Sequence, residues 1–278
     1  MIWVLLAVFL APAVLSVAWR ASTGPSHWRD ASHASTGQAP DPATMRSAVI
    51  QVYAARTWGA RGGAAVHTWI TAKRSDADEY ERHEVIGWRL RRDESALVRR
   101  HGNPDAEWFS SRPTLLADIR GDGVDAVIDR MEAVIDAYPY KDRYERWPGP
   151  NSNTFTAFVA RRVPELRLDL PPTAIGKDYL GNGELFGKAP SGTGYQFSAW
   201  GVFGVLAALE EGIEVNLGGM VAGIDFTSLA IKLPGIGTWP MWKRSETWIG
   251  PNASAPETAS SYAANPAKRF AKCSGACR

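Results

Sequence analysis

The chain has 278 residues, 45% hydrophobic and 22% charged, with a formal net charge of +2. This is a globular balance, long enough for one large core or two small ones. The charge excludes a dedicated nucleic-acid binder, which carries a strong basic excess, and the composition calls for no cofactor.

In chain order, Ile2 to Trp19 is uncharged and mostly apolar, interrupted by Pro12, with Arg20 after it. It reads as a marginal membrane helix or, with Ser16-Val17-Ala18 as a small-residue cleavage site, as an export signal. Residues 1–20 are therefore expected to be a signal or membrane anchor. Residues 21–46, rich in Ser, Ala, Pro and Gly, read as a linker. Twelve Trp, several beside Gly or Pro, suit packing against loops and a bilayer interface.

The folded part opens with three β-rich runs, Ala48 to Arg56, Ala64 to Ala72 and Tyr80 to Trp88, which predict an antiparallel meander. Strand alternation puts His67 on one face with Ala65, Trp69 and Thr71. A turn centred near Asp76 sets His67 opposite Glu84 or Val85, and a one-residue slip exchanges Glu84 for His83 on that face. The arginine-rich stretch from Arg89 to His101 reads as a solvated loop, or as a contact for anionic lipid or cell-wall polymer. Val124, Ile128, Met131 and Ile135 mark an amphipathic helix from about Gly123 to Ala137.

Trp147-Pro148-Gly149-Pro150 is a rigid approach to a second helix, in which Phe155, Phe158, Val159 and Val163 repeat at helical spacing before Pro164. Asn151, Ser152 and Asn153 stand at its start. Free N–H groups and the positive end of the dipole meet there, so Ser152 is a candidate nucleophile; the local sequence by itself favours an N-cap. Residues 171–250 follow as a Gly-rich β-meander packed on a core at 47–170, and residues 251–278, with Cys273 and Cys277, as a disordered tail. Two cysteines with no histidine nearby do not make a zinc site, and no metal is expected. Lys177-Asp178 reads as a surface pair, an interface pair or a substrate clamp, and Glu210, Glu211 and Glu214 as a turn or a cation site.

A nucleophile enzyme needs a base within reach and a group to orient it. Ser152, His67 and Glu84 are the catalytic candidates. Asn151, Asn153, Trp69, Trp147 and His83 are the ligand-binding candidates. A strand-borne His followed by a nucleophile at a later helix start resembles the circularly permuted papain-like proteins, the NlpC-type peptidases and the lecithin–retinol acyltransferase group. Asn151-Ser152-Asn153-Thr154-Phe155 is similar to their nucleophile motif, with Ser in place of Cys. A serine hydroxyl is far less acidic than a thiol, so it needs a well-placed base and an oxyanion site.

A wider resemblance joins His67-Thr68-Trp69-Ile70, Glu84 to Trp88, Trp147 to Phe155, Ala174 to Asp178, Leu209 to Glu214 and Lys232 to Gly237. Together these resemble the bacterial domain of unknown function 3750. The resemblance implies a bacterial envelope protein, inner-membrane anchored or periplasmic, and supplies no activity. The expected fold is α+β: an antiparallel sheet with packed helices in a permuted papain-like core, plus the small meander. The expected function is a serine-dependent hydrolase or acyltransferase acting on an amide or ester of cell-wall peptide or lipid-like material. The alternative is a catalytically inactive relative that binds such a ligand or a partner.

Overall fold

The computed structural model describes residues 2–23, 27–239 and 247–249. It is α+β, built on two antiparallel-rich sheets. The first has six strands in the order β13-β5-β1-β2-β3-β4: β1 Val49–Arg56, β2 Val66–Lys73, β3 Glu81–Val85, β4 Leu97–His101, β5 Thr114–Arg120 and β13 Thr247–Ile249. The meander β1-β2-β3 is as expected; β4 is not, because the stretch read as a loop is a short 3-10 turn and then a strand. Its arginines find carboxylates on both sides of the sheet, Arg99 on Asp136 and Arg100 on Glu84, which lets a charged segment pair as an edge strand.

One face of this sheet carries Val52, Ile70 and Val85 and packs on helices α2 (Val124–Asp136) and α3 (Ser152–Ala160). Val124, Val127, Ile128, Met131 and Ile135 form the buried stripe of α2. The other face carries Tyr53, Ala55 and Trp69 under Trp108 and Phe109. Residues 35–39 are fastened to that side rather than free as a linker. Ser35, Thr36 and the backbone N–H groups of Gln38 and Ala39 all bond the Asp105 carboxylate. That ring of donors holds the Asp105 carboxyl below its usual range although burial alone would raise it.

The second sheet has seven strands in sequence order: β6 Phe186–Lys188, β7 Gly194–Ala199, β8 Phe203–Ala208, β9 Gly212–Leu217, β10 Met220–Asp225, β11 Ala230–Leu233 and β12 Gly237–Trp239. This is the expected meander, but its polarity is reversed. The inner face, toward the first unit, carries Gln196, Ser198, Glu214, Asn216 and Lys232, all buried. Glu214 Oε2 accepts from Lys177 Nζ at 2.5 Å and Oε1 from Lys232 Nζ at 2.6 Å. Lys232 reaches Asp169 at 2.7 Å, and Lys177 reaches Asp178 at 3.0 Å. Lys177-Asp178 is thus a buried knot between the two sheets and not a surface pair. Burial alone would push the Lys177 ammonium down; Asp178 and Glu214 outweigh it and hold the charged form. Glu211 is likewise internal, accepting from the N–H and the hydroxyl of Ser191.

Helix α1 (Ile2–Thr23) contains Pro12 and lies against the 3-10 turn Gly59–Gly63 and strands β10 and β11. It approaches so closely that a Cβ on Gly63 would stand 2.4 Å from Val17 Cα, and one on Gly235 2.6 Å from Ala13 Cα. Ser16 Oγ donates to Gly235 O at 3.0 Å. Among the described residues no helix is long and apolar enough to cross a membrane. The expected tail at 251–278, with Cys273 and Cys277, lies outside the described residues.

Candidate functional site

The start of α3 is built from its own amides. Asn151 is the N-cap: Oδ1 accepts from the N–H groups of Asn153 at 2.9 Å and Thr154 at 3.1 Å. Its Nδ2 donates to the carbonyls of Arg146 and Ile175. Asn153 Nδ2 donates to Val66 O at 3.1 Å and Ile175 O at 2.8 Å. The Thr68 hydroxyl closes the packing, 3.0 Å from Asn153 Oδ1, 2.9 Å from Thr156 Oγ1 and 3.2 Å from Ser152 O. The two asparagines expected to hold a ligand therefore tie α3 to β2 and to the loop at Ile175.

Thr68 faces α3, so its neighbour His67 projects from the other face of β2. There His67 Nε2 lies 2.8 Å from Glu84 Oε2. Arg82 bonds the same oxygen at 2.9 Å and Arg100 bonds Oε1 at 2.7 Å. The imidazole stacks on Trp108 with centroids 3.8 Å apart, and Arg82 covers Trp69 at 4.0 Å. Burial pushes the His67 pKa down against the pull of Glu84, so the neutral ring donates through Nε2. Burial by itself would raise the Glu84 carboxyl, but the His67 hydrogen bond and the charges of Arg82 and Arg100 hold it far below the usual range. The pairing of His67 with Glu84 is as expected. The third member is a correction: Ser152 stands behind the sheet, and among the described residues no hydrogen bond joins it to His67.

The other candidates also separate. Trp69 is fully buried, its Nε1 donating to Pro104 O at 2.7 Å. His83 is on the α face, opposite Ile70, with both ring nitrogens buried and outside any hydrogen bond. Glu81 lies 3.5 Å from its Nε2, an ion-pair distance without hydrogen-bond geometry. Trp147 is half-exposed, and its Nε1 donates to Gly218 O at the β9–β10 turn. These three side chains stand apart in the fold, and among the described residues no cluster of His, Cys, Asp and Glu has the makings of a metal site.

A cleft does lie where α3 meets β6. Its volume is about 270 Å³, and Tyr140, Phe158, Tyr179, Arg161, Arg162 and Lys188 line it, with Glu184 at the same wall. Arg161 Nε donates to Lys188 O at 3.0 Å, and Nη2 to Lys177 O at 2.6 Å and Gln196 Oε1 at 3.0 Å. Burial pushes its pKa down to about 10, against the pull of Asp178. The Arg162 guanidinium lies 3.7 Å over the Phe158 ring. Among the described residues none of these three cations is ion-paired, whereas Arg74, Arg99, Arg120 and Arg130 each hold a carboxylate. The sequence signal for this site was only Arg161-Arg162 after an apolar helix face; the distant Tyr140, Tyr179 and Lys188 give no pattern in common with it.

No curated protein and no solved structure matches the chain. Residues 47–179 match the family model described as "Protein of unknown function (DUF3750)", a span that runs from β1 through α3 to Tyr179 at the cleft.

Proposed function

We propose that the chain is a binding protein of the bacterial cell envelope whose ligand carries a carboxylate or phosphate beside a planar or ring-shaped part. The observation that carries this reading is the cleft at α3 and β6: the Arg161 and Arg162 guanidiniums, neither of them ion-paired among the described residues, line it together with two tyrosine rings and one carboxylate, Glu184. Anionic portions of cell-wall peptide or lipid material have this chemistry. Envelope association is supported by the apolar run from Ile2 to Trp19 and its Arg20 boundary.

The test is a titration with three probes, phenyl phosphate, inorganic phosphate and phenol, followed by calorimetry and by melting temperature. Phenyl phosphate is expected to bind more tightly than either part alone. The double variant Arg161→Ala/Arg162→Ala is expected to weaken it by roughly tenfold or more, the scale of a lost charge-assisted contact. Equal affinity of wild type and double variant for phenyl phosphate would remove the cleft as the site.

A hydrolase using Ser152 has one observation in its favour, the base-and-orienter pair of His67 and Glu84. A serine-directed fluorophosphonate separates the two readings. The binding reading expects no label. Labelling that disappears in both Ser152→Ala and His67→Ala would restore the enzyme, and would require β2 to turn His67 toward α3.

A further inference from the structure

We infer that the chain pairs with a second copy of itself through the outer face of the second sheet, the two seven-stranded sheets stacking face to face about a twofold axis. The inference does not depend on the cleft or its ligand. It starts from the reversed polarity of that sheet. The ladder registers trace one row across the outer face through Phe186, Phe197, Val205, Val215 and Ala222. A second row runs through Tyr195, Ala207, Ile213, Ile224, Ile231 and Trp239. Phe186 and Tyr195 are each 74% exposed, Trp239 is 65% exposed, and Val205, Ile213, Ile224 and Ile231 are each about half exposed. An antiparallel sheet with one solvated face places its polar residues there and its apolar residues on the core. Here the polar residues are locked inward by Glu214, Lys177 and Lys232, so the apolar face has no core of its own.

The extent of the face fits a dimer. Seven strands spaced ~4.8 Å apart, three to six residues long at ~3.3 Å per residue, give a flat footprint of roughly 540 Å² before side-chain relief. Side chains standing off the sheet raise the accessible area above this flat value, toward the roughly 600–800 Å² that each partner gives in the smaller standard interfaces. Sheets stack in this way at ~10 Å with their strands within about 30° of alignment. The charge pattern also favours a second copy over a bilayer. Lys188, opposite Tyr195 on the edge strand, is the one charged side chain in these rows. From Ala189 to Ile231 the sequence has no Lys or Arg, whereas a surface that rests on anionic lipid is rimmed by them. A twofold pairing of this face brings no like charges together at its centre.

The experiment is sedimentation equilibrium of the full chain, with Val215→Lys alongside and circular dichroism on both. The expected result is the mass of two chains for wild type, and for a folded Val215→Lys a dissociation constant raised by roughly a hundredfold, since each copy then brings a charge to the centre of the face. In a Cys273→Ser/Cys277→Ser background, spin labels at Val205→Cys are expected to show one short dipolar distance between copies. If Val215→Lys does not fold, that distance decides. A wild-type chain that sediments as a single copy at high micromolar concentration, or a Val215→Lys chain that folds and dimerises as tightly as wild type, overturns the proposal. So does a single-copy chain that instead co-sediments with phosphatidylglycerol vesicles, which would assign the face to lipid.

Discussion

Glu84 accepts from His67 across 2.8 Å with no exposed surface of its own, and the bond clamps β2 to β3 on the aromatic face of the first sheet. Because Arg82 is nearly as buried and bonds the same carboxylate, Glu84→Gln leaves a guanidinium in the core without its counter-charge. The expected cost is about 3–5 kcal/mol, the range for breaking a buried pair. Arg100 is half-exposed, and Arg100→Ala is expected to cost no more than about 1 kcal/mol. Urea unfolding of the two variants checks this; equal losses would mean that the carboxylate is solvated.

His83 gives the fold a pH dependence of definite sign. Burial, with Arg99 adding to it, pushes the imidazole down to about 4. Between the ordinary histidine pKa and that value the unfolded chain binds a proton that the folded chain does not. Stability is therefore full above about pH 6.5 and falls as the pH drops toward 4, by about 3 kcal/mol from this group. His83→Leu keeps the volume, gives up no hydrogen bond, and is expected to flatten the pH profile over that window. An unchanged slope in the variant would assign the acid sensitivity to other groups, of which buried His67 shifts in the same direction.

Glu214 is the shared anion of Lys177 and Lys232. Glu214→Gln leaves Asp178 and Asp169 as the remaining carboxylates of the two ammonium groups. The variant is expected to lose about 3–5 kcal/mol. Melting temperature and hydrogen exchange check it, and exchange is expected to rise in both sheets together. A loss confined to β9 would show that the knot is local.

The contact of α1 with the body is tested at Gly63. An added methyl there meets the Val17 backbone at 2.4 Å, where only movement of the helix gives room. Gly63→Ala is expected to unseat α1 and make it sensitive to protease while the two sheets stay protected. Gly102→Ala, where a Cβ meets nothing within 4 Å, is the control for backbone strain alone. Equal protection of α1 in both variants would place the helix elsewhere.

The elements that the sequence disclosed are those whose periodicity is local. Val49 to Arg56, Val66 to Lys73 and the Val124–Asp136 stripe carry their own alternation or helical repeat, and the parity of β3 brings Glu84 rather than His83 to His67. What stayed hidden depends on which side of a sheet a later element packs. Nothing near Ser152 says that α3 lies on the Thr68 side of β2, and one residue of parity puts His67 on the face away from Ser152. The fastening of residues 35–39 was hidden because its single acceptor, Asp105, is about seventy residues away. Strand β4 was hidden because Arg99 and Arg100 look solvated until Asp136 and Glu84 stand beside them.

The inward-facing charges of the second sheet also bear on how the protein comes apart. A β-meander with Glu214, Lys232 and Asn216 on one side and bare hydrocarbon on the other has no independent folded state to return to. Its ionic side is completed by Asp169, Lys177 and Asp178, which lie before β6. The two sheets are thus a single cooperative unit: heat should melt them in one transition, with calorimetric and van't Hoff enthalpies in agreement. A chain cut after Tyr179 should keep the matched family segment yet fail to fold, because two of its buried charges would have lost the neighbours that make them tolerable.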